Sequence, residues 1–147
     1  MRRLLGLLLI TTALAAVDLW SKLLLPTPSW ALHQRSNIWF IGSCLLLVAA
    51  PALARLRSTS VTIAAGIFNG GVLGNVLSAS DDHLVVPNPI LIGNRVNGVA
   101  FNLADLFILT GNLMLMATLI ALVIRNRERL PKSSQVLRRL RRRRASA

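Results

Sequence analysis

Four apolar stretches dominate the chain, each separated from the next by a polar segment. They fall at about residues 4–25, 38–54, 60–78 and 105–124. Each is long enough, or nearly so, to cross a hydrocarbon core of roughly 30 Å as a helix of about 20 residues. Backbone groups cannot stay unpaired in lipid, so such segments become helices. The pattern predicts an all-α membrane protein: a four-helix transmembrane bundle over residues 1–130, followed by a basic cytoplasmic tail, 131–147. The connection between the third and fourth stretches has a different texture. Pro87, Asn88, Pro89, Gly93 and Gly98 break any rhythm there, which predicts a flap or short extended pieces.

Composition narrows the class. At 147 residues, 54% hydrophobic and without tyrosine, the chain is too short and too apolar for a soluble multidomain protein. Its net charge of +12 is almost all arginine and is unevenly spread. Arg2 and Arg3 precede the first span, Arg55 and Arg57 separate the second from the third, and Arg125, Arg127 and Arg129 follow the fourth. Arg138, Arg139 and Arg141 to Arg144 crowd the tail, whereas the two remaining connections hold only Arg35 and Arg95. The positive-inside rule then places both termini in the cytoplasm and two loops outside. Residues 1–15 have the look of a signal peptide, ending in Ala13-Leu14-Ala15. The apolar run continues through Lys22, however, and the topology needs it, so it is read as a retained span. No aromatic residue interleaves the tail arginines, which argues against nucleic acid and for a topology anchor that attracts anionic lipid. Cys44 is the single cysteine, and His33 and His83 are isolated, so neither a metal nor a cofactor is expected.

Polar residues converge at one depth. Asp18 stands four residues before Lys22 inside the first span. An ionisable group there costs roughly 2.5–3.5 kcal/mol on insertion scales, so it is rarely present without a role. With the predicted topology, Gly74 and Asn75 of the third span and Asn102 and Asp105 at the mouth of the fourth reach the same outer level. Each also has a purely structural reading. Asp18 and Lys22 are spaced to neutralise each other on one helix face. Asn102, three residues before Asp105, reads as an N-cap with an acid that suits the helix dipole. Gly66, Gly70 and Gly74 recur every four residues, a stripe where another helix can approach closely. Asn69 and Asn75 are expected to hydrogen-bond across helices. Asp81 and Asp82 are placed in a loop after the third span, where an acidic pair is ordinarily solvated.

These residues carry a resemblance. Asp18-Leu19-Trp20-Ser21-Lys22 resembles the Asp-x-x-Ser/Thr-Lys of signal peptidase II, the lipoprotein signal peptidase family of bacterial membrane aspartic proteases. Gly70-Gly71-Val72-Leu73-Gly74-Asn75 is similar to its Gly-Gly-x-x-Gly-Asn, Val85-Val86 to its outer-loop Val-Val pair, and Phe101-Asn102-Leu103-Ala104-Asp105 to its Phe-Asn-x-Ala-Asp. The resemblance implies a place in the bacterial cytoplasmic (inner) membrane. It also implies a partner, a lipidated signal peptide or prolipoprotein, cut beside the lipidated cysteine. Two aspartates do that chemistry. One carboxylate activates water while the other, protonated, polarises the scissile carbonyl, because like charges about 3 Å apart cannot both ionise. On this resemblance Asp105 is a catalytic acid, and Asp18, Lys22, Gly71, Gly74, Asn75 and Asn102 support the site or bind substrate.

The chain departs from the family where the chemistry is. The family's other catalytic aspartate directly follows the Val-Val pair; here Pro87 stands there, 18 residues before Asp105, about the family's interval. The family's Gly-Asn-x-x-Asp-Arg becomes Gly74-Asn75-Val76-Leu77-Ser78-Ala79, without the acid or the arginine. The first outer segment, 26–37, is too short for the family's Asn-x-Gly-Ala-Ala-Phe-type substrate cradle. Three readings stay open: a catalytically incomplete relative; an active endopeptidase pairing Asp105 with Asp81 or Asp82; and a structural or assembly protein whose polar groups only join helices. A transporter fits less well, since four spans show no inverted repeat and no chain of acids.

Overall fold

The apolar stretches become helical spans of similar length, 19 to 23 residues, because each must cross the same hydrocarbon thickness. The computed structural model describes residues 1–81 and 83–127. Helix α1 runs Arg2–Leu24, α2 Asn37–Ala49, α3 Thr59–Asp81 and α4 Leu103–Arg125. Three of them have 23 residues, which is about 35 Å at 1.5 Å per residue, enough to span with a modest tilt. α2 is shorter because of Pro51, which lacks the N–H that an α-helical turn requires. The chain tightens there into a 3-10 helix, Ala50–Arg55, which completes the span Asn37–Arg55. All four are long and apolar enough to cross a membrane. Their outer faces fit that setting: Leu23, Ile38 and Val48 are 84%, 83% and 78% exposed, in apolar surfaces that a bilayer covers.

α3 is the axis of the bundle. α1 and α4 both pack chiefly on it, and α2 leans on it too. Its apolar window is 67% buried, against 22% or less for the other three. Small side chains explain the difference. In lipid no hydrophobic force drives helices together, so association rests on close backbone approach. Gly66, Gly70 and Gly74 form the seam with α1: an added Cβ would lie 2.9 Å from Ile10 Cβ, 2.7 Å from Leu14 Cβ and 2.6 Å from Asp18 Oδ2 respectively. Gly71 points elsewhere, and a Cβ there would collide with Ala104 and Ile108 of α4. Asn69 corrects an expectation. Its Nδ2 donates to Ala65 O of its own helix at 2.7 Å, not to a neighbour, because this short side chain reaches the carbonyl one turn back before another helix.

The connections between α1 and α2 and between α3 and α4 contribute strands. Strand β1 is Leu32–Gln34, β2 Val85–Pro87, β3 Ile90–Ile92 and β4 Val99–Phe101. β1 pairs antiparallel with β2, His33 opposite Val86, and β3 pairs antiparallel with β4, Leu91 opposite Ala100. The extended pieces expected in the long connection are therefore present. The short first segment, too brief for a cradle by its length, nonetheless supplies half of one ribbon. It is tied further by Arg35 N–H to Leu84 O, 2.8 Å, and Asn88 N–H to Ala31 O, 3.1 Å. Asp81 also differs from expectation: it is the last residue of α3, not a loop residue. The helix end is closed by Leu84 N–H to Ala79 O, 2.9 Å, with His83 at φ 43° in the left-handed region that such ends usually give to glycine. Asp82 and the basic tail, 131–147, lie outside the described residues.

Candidate functional site

The site grows from the start of α4. A helix begins with N–H groups that have no partner in the helix itself. Here Asn102 is the N-cap: its Oδ1 accepts from Asp105 N–H at 2.9 Å, and Asp105 Oδ2 accepts from Asn102 N–H at 3.3 Å, a capping box. Between them, Ala104 N–H donates to Asp18 Oδ1 on α1 at 2.8 Å. One helix thus caps another, and the Asp18 carboxylate sits at the positive end of the α4 dipole. Gly74 makes this possible, since any side chain there would occupy the space of Asp18.

Lys22 closes the arrangement. An ammonium has three N–H donors, and Lys22 Nζ places them on Asp18 Oδ2 at 2.6 Å, Asn75 Oδ1 at 2.9 Å and Ser78 Oγ at 3.0 Å. The Ser78 hydroxyl donates in turn to Gly74 O at 2.8 Å. Asn75 is the hub: besides Lys22, its Oδ1 accepts from Asn102 Nδ2 at 3.0 Å, while its Nδ2 donates to Asp105 Oδ1 at 3.0 Å. From Asn102 the network reaches the strands, where Nδ2 donates to Asn88 Oδ1 at 2.7 Å and to Pro87 O at 3.2 Å. Asn88 Nδ2 in turn meets Ala100 O and His33 Nδ1, both at 3.1 Å. Asp18, Asn75, Asn88 and Asn102 are almost wholly buried. In that low-dielectric setting a satisfied network fixes one geometry, and an unsatisfied member would be costly.

The predicted residues therefore divide. Asp18, Lys22, Gly74, Asn75, Asn102 and Asp105 meet in one place, and Gly71 lies one turn deeper as a packing contact with α4. Asp81 is exposed and makes no hydrogen bond within the described network, but it lines an adjoining cavity of about 300 Å³ together with Leu19, Leu23 and the network residues Lys22, Ser78 and Pro87. Among the described residues, neither Asp18 nor Asp105 is hydrogen-bonded to another carboxyl group; they communicate through Lys22 and Asn75. Three members were not anticipated. Ser78 stands where the resembled pattern has an acid, and its signal was its place one turn beyond Gly74. Asn88 and His33 carried little signal, since a polar residue between two prolines and a histidine in a short loop both read as solvated.

No protein-family model and no curated protein matches the chain. Its fold is shared with a solved structure described as a bacterial membrane enzyme, determined by the in meso method at 2.3 Å resolution. The TM-score is 0.62 at 16% identity, and the match covers 78% of this chain and 87% of that one. The chain is an integral membrane protein with the fold of a membrane enzyme. At that identity the likeness speaks for the fold, and the chemistry has to be argued from the site.

Proposed function

We propose that the protein is a catalytically incomplete relative of signal peptidase II, in the cytoplasmic membrane of a bacterium. It would hold a lipidated signal peptide or prolipoprotein at the outer interface without cutting it. The observation that carries this reading is what stands at Pro87. Where the resembled family offers a second carboxylate, this chain offers a backbone carbonyl, and that carbonyl accepts from Asn102 Nδ2 at 3.2 Å. Asp105, with one oxygen on Asn75 and the other in a capping box, is left as half of a dyad. A lone carboxylate cannot both activate water and polarise a carbonyl.

A second reading has one observation in its favour. Asp81 faces the cavity that Lys22 and Pro87 also line, which is where a relocated acid would be useful. Helix geometry weighs against it. Asp105 is held by Asn75, and six residues along α3 place Asp81 about 9 Å further out and about 120° around the axis. Among the described residues no hydrogen bond joins Asp81 to Asp105, whose partners are Asn75 and Asn102.

The test is cleavage and binding of a diacylglyceryl-modified prolipoprotein by the full chain in lipid. It should be run beside Asp105→Asn and the double variant Asp81→Asn, Asp82→Asn. The expected result is binding without cleavage in all three. Cleavage that both changes abolish would establish a relocated dyad instead. Neither binding nor cleavage would favour the structural or assembly role.

A further inference from the structure

The end of the bundle opposite the polar network holds a cavity of about 790 Å³, between the start of α1 and the 3-10 helix that ends the second span. It exists because Pro51 ends α2 early: α1 meets the 3-10 helix there, while α2 itself leans on α3. Arg2, Arg3 and Arg55 line one part of this cleft, and Leu4, Val48 and Pro51 line the other. No acid is among its lining residues. Among the described residues the one ion pair is Lys22 with Asp18, at the far end, so none of the three guanidinium groups pairs with a described carboxylate.

We propose that this cleft is a binding site for one anionic phospholipid. The guanidinium fork matches phosphate oxygens bidentately and is less strongly hydrated than an ammonium, so a phosphodiester is its natural partner at a membrane surface. The apolar wall continues onto faces open to lipid: Leu5, Leu8 and Leu9 of α1 are exposed, as is Val48 of α2. A headgroup on the arginines would lead its acyl chains along those faces. A free phosphate would leave the apolar wall unused. Such a site differs from diffuse attraction of basic segments to an anionic leaflet, which needs charge but no cavity.

The test is native mass spectrometry of the full chain in mild detergent, titrated with phosphatidylglycerol and separately with phosphatidylcholine. The wild type is expected to retain one phosphatidylglycerol at least tenfold more tightly than phosphatidylcholine. The triple variant Arg2→Gln, Arg3→Gln, Arg55→Gln should lose that preference, and Arg55→Gln alone should lose part of it. A triple variant of equal charge, Arg57→Gln, Arg125→Gln, Arg127→Gln, should keep it within twofold. Equal loss in both triple variants would overturn the proposal in favour of diffuse charge. Equal retention of the two lipids, or displacement of the lipid by millimolar inorganic phosphate, would also overturn it. Circular dichroism of each variant identifies a loss caused by unfolding, and in that event the Arg55→Gln result decides: full retention of the preference there overturns the site.

Discussion

Lys22 spends all three of its protons inside the bundle, and that makes the Asp18 pair a structural joint as well as a charge pair. Removing one member strands the other. Breaking a buried pair typically costs about 3–5 kcal/mol, much of it the penalty of an uncompensated charge. Asp18→Asn should fall in that range, since it leaves the ammonium among two neutral oxygens, Asn75 Oδ1 and Ser78 Oγ. Lys22→Met should cost less, because Asp18 keeps Ala104 N–H at the α4 terminus. The double variant should cost less than the two singles together. Thermal unfolding in detergent checks this, and strictly additive losses would mean that the two residues do not act as a pair. The hub residue is more demanding. Asn75→Leu removes two acceptor contacts and one donor at once, so it should destabilise more than Ser78→Ala. Equal effects would show that Asn75 merely fills space.

At the scale of elements, close approach of backbones decides which glycines matter. Gly42 has open space around it, with no atom within 4 Å of an added Cβ, whereas Gly70 and Gly74 face α1 at 2.7 Å and 2.6 Å. Gly42→Ala should therefore be neutral or stabilise by up to about 1 kcal/mol through helix propensity. Gly70→Ala or Gly74→Ala should destabilise by about 1–3 kcal/mol from overpacking. Melting temperatures that move together at positions 42 and 74 would contradict the seam. These helices were legible because hydropathy marks a span, small residues four apart mark a contact, and Asn102 with Asp105 marks a helix start. The strands were not. Leu32-His33-Gln34 has no alternation to read, and its partner lies some fifty residues away, so pairing depends on the helices first bringing the loops together. The same holds for Asn88, whose reach to Asn102 depends on the turn between β2 and β3. Three-residue strands with exposed edges also open easily. Amides over residues 83–99 should exchange faster than those of α3, and equal protection would show the two strand pairs to be as rigid as the core helix.

For the whole molecule, the question that orders all the others is which end faces which side. The polar network and the arginine-lined cleft lie at opposite ends of the bundle, and the charge bias distinguishes them. Arg2, Arg3, Arg55, Arg57, Arg125 and Arg127 mark one end, and Arg35 and Arg95 mark the other. Arginine resists transfer across the membrane, so the crowded end should remain in the cytoplasm and the network should face outward. Cysteine labelling reads this directly. In a Cys44→Ala background, Arg95→Cys should react with a membrane-impermeant maleimide on intact cells, and Arg57→Cys only after permeabilisation. Both positions are exposed, and neither change reverses the bias. The opposite pattern would turn the network towards the cytoplasm. A translocated lipidated peptide would then have no access to Asp105, whatever its carboxylate is able to do.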